Sequence, residues 1–207
     1  MSRKTPYIDI DPRIFGHPLA TEIDWTPLEQ GGNFIKTQRR YQPSPTRMGF
    51  KAARRAWVYN GLVVLLGLIT FVGPFIREES SPLWLHLAGL GFMALGVGLW
   101  IKADQRRIFD KELGYYFRGK TFKKESSTYP SIPLHDIVAL QILMEHVKGG
   151  KSDYKSYELN LVLKDSKRIM VLDHADKDQI KEDAAQLSTF LNIPVWNYED
   201  AIVTRHS

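Results

Sequence analysis

Residues 57–101 read WVYNGLVVLLGLITFVGPFIREESSPLWLHLAGLGFMALGVGLWI and contain two apolar blocks separated by a short polar connection. The blocks, 57–76 and 83–101, contain no Asp, Glu, Lys or Arg. At about 1.5 Å of rise per residue, a helix of about 20 residues spans roughly 30 Å, the thickness of the hydrocarbon core of a membrane. Aromatic residues typical of membrane interfaces stand near the ends of the blocks: Trp57, Tyr59, Trp84 and Trp100. This stretch therefore predicts a hairpin of two transmembrane helices.

The charges on either side of this hairpin predict its orientation. The residues before it include six cations and no acidic residue from position 39 onward: Arg39, Arg40, Arg47, Lys51, Arg54 and Arg55. More cations follow the second block: Lys102, Arg106, Arg107 and Lys111. The connection at 77–82 carries one Arg and two Glu. Because segments rich in Lys and Arg stay in the cytoplasm, we expect both termini there and the connection outside.

Small residues form a face along the second predicted helix. Gly91, Ala94 and Gly98 recur at helical spacing, so that another backbone can approach them closely. One interpretation, which we favour for most of this face, is that the two membrane helices pack on each other there. The other is that the face docks into a larger membrane complex. A channel or transporter is not expected, because neither helix contains a buried ionisable residue that would form a polar path.

The residues after the hairpin show the alternation of β-strands. A β-hairpin is predicted around the turn at 111–114, followed by an apolar strand within 131–147. A second hairpin is predicted from alternating apolar residues at 157–163 and a strand around 169–171. We therefore expect about five antiparallel strands in this part of the chain.

One amphipathic helix follows the predicted strands. Beyond Asp176, apolar residues recur at helical spacing: Ile180, Ala184, Leu187 and Leu191. Asp176 and Gln179 form a variant of the capping box, and Pro194 marks the end of the helix. The helix is expected to cover the open side of the sheet and bury its core.

Three strings in this region resemble a known group of proteins: IFDKELGYYFRG (108–119), YELNLVLKDSKRIMVLDH (157–174) and AAQLSTFLNIPVW (184–196). Together with the two adjacent membrane helices, they resemble bacterial membrane-tethered proteins that carry pleckstrin-homology-like (PH-like) domains, and the photosystem I assembly protein family. The resemblance spans residues 57–196. It implies a non-enzymatic, protein-binding or assembly role in the bacterial inner membrane, with no defined ligand residues.

The N-terminal segment is rich in Pro and Gly but also contains large apolar residues, which disordered segments usually lack. We expect it to pack from Trp25 onward, over the C-terminal sheet or onto a partner, and to form a free arm before Thr21. The predicted organisation is that of an α+β membrane protein. It has a cytoplasmic N-terminal segment at 1–55, a transmembrane hairpin at 56–102 and a cytoplasmic PH-like domain at 103–207.

Two groups of basic residues are candidate contacts for anionic lipids or an acidic partner. The first is the group before the membrane, Arg39, Arg40, Arg47, Lys51, Arg54 and Arg55, which either holds lipid headgroups or serves only to set the orientation. The second is Lys148, Lys151 and Lys155, in a predicted loop. For this loop a solvated turn is the simpler interpretation, and an acidic protein surface is the expected ligand if it has one.

No catalytic, cofactor or metal site is predicted. The closely spaced groups at 135–136 and 173–176 contain His and Asp, but such short spacing is more typical of helix caps and solvated charge, so a membrane enzyme using His135 or His174 has the least support. The sequence has no cysteine and no phosphate-loop, zinc-protease or serine-hydrolase motif. The net charge of +5 does not predict nucleic-acid binding, because much of the basic excess lies beside the membrane helices.

The sequence therefore predicts a non-enzymatic scaffold, assembly factor or accessory subunit of the bacterial inner membrane. Its expected partners are membrane lipids and another membrane protein or complex, or further copies of itself. Binding energy would come from the small-residue face and the apolar groups of the N-terminal segment, with basic residues steering the encounter. The alternative is a regulator that senses anionic lipid headgroups.

Overall fold

The structure is a computed structural model that describes residues 10–32, 38–76, 81–103, 105–124, 129–148 and 152–202. It is an α+β structure in which two apolar helices are followed by antiparallel strands and a C-terminal helix, as predicted. The strands are β1 (Gln38–Ser44), β2 (Arg47–Ala52), β3 (Arg107–Asp110), β4 (Tyr115–Arg118), β5 (Ile132–Pro133), β6 (Ile137–Val147), β7 (Tyr154–Leu163), β8 (Arg168–His174) and β9 (Val195–Asn197). The helices are α1 (Pro18–Glu22), α2 (Arg54–Ile76), α3 (Leu83–Ala103) and α4 (Lys177–Leu191).

The first sheet has the order β1-β2-β3-β4-β5 and joins the two sides of the helical hairpin. β2 ends just before α2, and β3 begins just after α3. These two strands pair antiparallel, with Met48 opposite Phe109 and Phe50 opposite Arg107. The predicted boundary at residue 55 therefore falls within one sheet, since β1 and β2 precede it and β3, β4 and β5 follow the hairpin.

β1 and β2 were not predicted, because Pro43, Pro45 and Gly49 have the character of loop residues. Pro43 lies in β1, an edge strand, where a missing backbone N–H is tolerated. Pro45 lies in the turn between the strands. Gly49 is required by packing, since a Cβ atom at this position would collide with the carbonyl oxygen of Arg107 on β3.

The second sheet has the order β8-β7-β6-β9, and it faces α4 across the main core. Its long strands confirm the predicted hairpin of β7 and β8, whereas β9, which runs parallel to β6, was not predicted. The core contains fully buried side chains from both sheets and the helix, including Phe50, Phe109, Leu159, Leu161, Ile180 and Leu187. Burial of each such side chain contributes about 1.5–3 kcal/mol to stability. Because Phe50 precedes the hairpin and the other side chains follow it, the core links the two parts of the chain.

The ends of α4 follow the sequence signals in part. The Asp176 carboxylate accepts a hydrogen bond from the Gln179 N–H at 3.1 Å, as the capping residue of the first turn. In a full capping box the Gln179 side chain would accept a hydrogen bond from the Asp176 N–H. Here Nδ1 of His174 accepts that bond instead, at 3.2 Å. At the other end, Asn192 adopts the left-handed conformation with φ 57° and caps the helix two residues before Pro194.

The two apolar helices pack antiparallel through glycines. A Cβ atom at Gly67 would lie 2.6 Å from the backbone nitrogen of Met93, and one at Gly96 would lie 2.5 Å from Cγ2 of Val64. Both helices are long and apolar enough to cross a membrane, and only 6% and 11% of their most apolar windows are buried within the structure. They are therefore not the buried core helices of the described domain.

Residues 10–32, here called the N-terminal strap, lie against the second sheet. The ring of Phe15 stacks on that of Trp25 with a centroid distance of 5.3 Å, and Ile10 forms a β-bridge with Ile202. Ala20 is fully buried. The prediction of a free arm before Thr21 is therefore wrong for residues 10–20, and its earlier part, residues 1–9, lies outside the described residues.

Two carboxylates fix the last part of this strap. Glu158 on β7 accepts hydrogen bonds from the Leu28 N–H at 2.9 and 3.0 Å, and Glu145 on β6 accepts from the Gly31 N–H at 3.1 and 3.2 Å. Charge-assisted bonds of this kind are stronger than neutral ones, so the strap is part of the folded domain.

The helix pairing predicts that Gly96→Leu and Gly91→Leu differ in their effect on stability. A larger side chain at Gly96 meets Val64, whereas nothing lies within 4 Å of a Cβ atom at Gly91. Overpacking typically costs about 1–3 kcal/mol. In mild detergent, circular dichroism should therefore show a lower melting temperature for Gly96→Leu and an unchanged one for Gly91→Leu. Equal melting temperatures for the two variants would contradict this packing.

Candidate functional site

A basic pocket lies where the first sheet meets the helical hairpin. It is a cavity of about 520 Å³, and its lining residues are Arg39, Lys51, Ala52, Arg54, Trp57 and Arg106. Every charged side chain in this lining is a cation. We refer to this cavity as the basic pocket.

The register of the first sheet brings these cations together. Arg39 on β1 lies opposite Lys51 on β2. Arg106 directly precedes Arg107, the partner of Phe50, so the sheet places it beside Lys51 on the next strand. Arg54 is the first residue of α2, only two residues beyond the end of β2. Cations that are far apart in sequence therefore line one cavity.

The electrostatics of the basic pocket favour an anion. Within the described residues, none of its four cations forms an ion pair with a carboxylate. The first turn of α2, which begins at Arg54, contains no acidic residue. The positive end of the helix dipole adds to the positive potential of the cavity.

Tyr41 connects two of the cations at the edge of the basic pocket. Nζ of Lys51 lies 4.8 Å from the centre of the Tyr41 ring, a distance typical of a cation–π contact. Burial raises the pKa of the Tyr41 hydroxyl, and the Arg106 guanidinium, which hydrogen-bonds to that hydroxyl, opposes the rise. Tyr41 therefore contacts Lys51 through its ring and Arg106 through its hydroxyl, and neutralises neither charge.

Two of the predicted basic contacts are instead structural. Arg40 binds Glu182 at 3.0 Å and the buried Asp183 at 3.3 Å, which ties β1 to α4. Arg47 donates from Nε to Oδ2 of the buried Asp110 at 2.7 Å, across the pair of β2 and β3. These two arginines are therefore engaged within the domain.

The remaining predicted basic residues lie apart from the basic pocket. Arg55 is exposed on α2 and does not line it. Lys148 and Lys155 are exposed at the far end of the hairpin formed by β6 and β7, and Lys151 lies outside the described residues. The predicted basic residues thus fall into three kinds in the structure: residues that line the basic pocket, residues in structural ion pairs, and exposed residues.

The small-residue face on α3 points away from α2. Gly91, Ala94 and Gly98 are exposed, and a Cβ atom at either glycine would contact nothing within 4 Å. Packing on α2 uses Gly89 and Gly96 instead. The interpretation that we favoured, that the predicted face packs the two helices together, therefore does not describe this pair.

The residues that were weighed as catalytic lie in structural positions. His174 is buried, and its Nδ1 accepts the hydrogen bond from Asp176 at the start of α4. His135 is exposed, with Nε2 3.4 Å from Oδ1 of Asp136. Among the residues that the structure describes, no three His, Cys, Asp or Glu side chains come together as ligands for a metal ion.

Sequence reasoning missed the part of Arg106 in this site, treating it only as a charge that sets membrane orientation. The signal that could have found it is the register of β2 against β3, which depends on tertiary structure and is not visible in the local sequence pattern.

Comparison with known proteins assigns neither a family nor a function: no protein-family model matches the sequence, and no curated protein matches it.

The ion pair of Arg47 and Asp110 predicts a pH-dependent contribution to stability. Burial alone would raise the pKa of Asp110, but hydrogen bonds from the Leu113 N–H and Arg47 outweigh it and hold that pKa below its ordinary value. Such a group stabilises the fold above its unfolded pKa, about 3.9, and the contribution is lost as pH falls through the lower folded pKa.

Asp110→Asn should therefore reduce the free energy of unfolding at pH 7 by about 1.5–3 kcal/mol, the usual value of charged hydrogen bonds. The difference from wild type should shrink below pH about 4. Denaturant titration at several pH values measures both. Asp165→Asn, in the exposed pair with Lys167, is the control and should change little. A difference from wild type that stays constant down to pH 2 would be inconsistent with this assignment.

Proposed function

We propose that this protein is an integral membrane protein of the bacterial inner membrane, with α2 and α3 crossing the bilayer. The large apolar side chains along both helices are exposed in the structure. Insertion into the hydrocarbon core of a bilayer would remove this apolar surface from water, which is favourable. The excess of Lys and Arg beside the hairpin supports a cytoplasmic position for both sheets and both termini.

We also propose that the cytoplasmic part is a PH-like domain. Two sheets, antiparallel except for the pairing of β6 with β9, and a C-terminal helix that covers their shared core support this proposal. In this arrangement the membrane hairpin is an insertion between β2 and β3. Ala53 is the only residue between β2 and α2, so the domain would sit close against the membrane surface.

The function we propose is that of a non-enzymatic scaffold, assembly factor or accessory subunit, which tethers another membrane protein through the hairpin and the cytoplasmic domain. The observation that carries this proposal is that α3 has two small-residue faces, of which α2 uses one. Gly89 and Gly96 serve the pairing within the hairpin, whereas Gly91, Ala94 and Gly98 remain open to a second helix. That second helix belongs to another membrane protein or to a further copy of this chain.

The proposal predicts that Gly91→Leu with Gly98→Leu removes a stoichiometric partner. Tagged wild-type and variant proteins would be purified from native membranes in mild detergent, and the co-eluting proteins quantified by mass spectrometry. Leucine side chains on this face should block close helix approach and lower the partner yield at least tenfold.

The control for that experiment is Gly73→Leu, which adds the same side chain at an open position on α2. It should leave the partner in place. A partner retained equally by the double variant would move the contact away from this face. Absence of any partner, including a second copy, from the wild-type sample would overturn the scaffold proposal.

A second candidate function is a membrane regulator that senses anionic lipids. The observation that favours it is the position of the basic pocket at the cytoplasmic end of α2, where lipid headgroups would lie. A lipid-bound domain and a tethering hairpin are compatible, since they use different surfaces.

A further inference from the structure

We propose that the basic pocket binds the phosphate group of one anionic phospholipid from the cytoplasmic leaflet. The proposal rests on the membrane insertion proposed above, and it goes further by naming a ligand class and the residues that hold it. Binding of one lipid in a cavity differs from the general attraction of basic segments to anionic membranes, which needs no cavity.

The cavity is lined by positive charge. Four cations converge on it from β1, β2, the start of α2 and the residue before β3, and none of the four is paired with a carboxylate among the described residues. On the same two strands, by contrast, Arg40 is paired with Asp183 and Arg47 with Asp110. Because like charges repel at short range, an anion that enters this cavity stabilises the arrangement.

The hydrogen-bond donors of the cavity match a phosphate group. The lining of the cavity contains three arginines and one lysine: Arg39, Arg54, Arg106 and Lys51. Phosphate oxygens accept bonds from guanidinium groups and from the backbone N–H groups at a helix N-terminus, and both kinds of donor are present where Arg54 opens α2. A volume of about 520 Å³ lies within the range of sites for small ligands and accommodates a phospholipid headgroup.

The surroundings of the cavity favour a lipid over a soluble phosphate. Trp57 in the first turn of α2 lines the basic pocket, and its ring packs against that of Trp100 with a centroid distance of 5.9 Å. Tryptophan is enriched at membrane interfaces, where its ring sits at the level of the headgroups. Beyond Trp57, exposed apolar residues such as Val58 and Leu62 continue along α2 and offer a surface for the acyl chains of the bound lipid.

The test is native mass spectrometry of the full-length protein released from nanodiscs that contain phosphatidylglycerol and phosphatidylcholine in equal amounts. Wild type should retain one phosphatidylglycerol per chain in preference to phosphatidylcholine. Removing one well-placed charge weakens binding about fivefold. The double variant Arg106→Gln with Lys51→Gln should therefore bind phosphatidylglycerol about 25-fold more weakly.

The matched control is the double variant Arg55→Gln with Lys155→Gln, which removes the same charge from exposed positions outside the basic pocket. It should bind within about twofold of wild type. An equal loss in the control and pocket variants would overturn the proposal, since binding would then follow total charge. The single variant Arg54→Gln, at an exposed position, provides the same comparison if the pocket double variant has a lowered melting temperature.

Inorganic phosphate distinguishes the two sources of the same chemical group. In large excess it should leave the bound phosphatidylglycerol in place, because a free anion lacks the acyl chains that contact α2. Displacement of the lipid by phosphate would identify a soluble anion as the ligand and contradict the lipid assignment.

Alkaline extraction of membranes, performed on the same variants, separates this inference from the function on which it rests. Protein released by alkali would refute the membrane insertion. Protein that stays in the membrane but retains no phosphatidylglycerol would refute only the lipid site.

Discussion

The antiparallel pairing of β2 with β3 is the interaction on which the rest of the structure depends. These strands are separated in sequence by the whole helical hairpin, yet Met48 lies opposite Phe109 and Phe50 lies opposite Arg107. Pairing across such a long insertion is unfavourable for a flexible loop. Here the insertion is itself ordered, because α2 and α3 pack antiparallel through Gly67, Gly89 and Gly96 and return the chain to the place where it left the sheet.

This pairing couples the domain to the hairpin. On one face of the sheet it places Phe50 and Phe109 in the main core, where they meet side chains of the second sheet and α4. On the other face it places Lys51 beside Arg106 and so creates the basic pocket. The same strands that bury the core therefore also assemble the proposed lipid site, and a ligand in the pocket would contact both the sheet and the start of α2.

Local patterns predicted the elements whose signals are contained within a few residues. The apolar blocks predicted both long helices, and Asp176 with the apolar periodicity that follows it predicted α4. Gly114 predicted the turn between β3 and β4, where it adopts a φ of 75°. β1 and β2 were missed because their prolines and Gly49 have the character of loop residues, and only the neighbouring strand explains them.

The rotation of α3 and the composition of the site could not be read from spacing. Small residues occur on two sides of this helix, and the sequence does not indicate which side meets α2; the structure pairs Gly89 and Gly96, and leaves Gly91 and Gly98 open. Likewise, the charges of Arg40, Arg47 and Lys51 are alike in sequence. Tertiary contacts with Asp183 and Asp110 engage the first two and leave Lys51 in the pocket.

Hydrogen–deuterium exchange of the full-length protein in nanodiscs, followed by mass spectrometry of peptides covering 47–52, measures whether β2 is paired on both sides within the first sheet. If β2 is a central strand of a sheet that spans the hairpin, its amides should exchange as slowly as those of β7, since both lie between two neighbouring strands. Exchange of this segment within seconds, as in an unpaired chain, would show that the residues before the hairpin do not join the strands after it, and the pairing of β2 with β3 would be wrong.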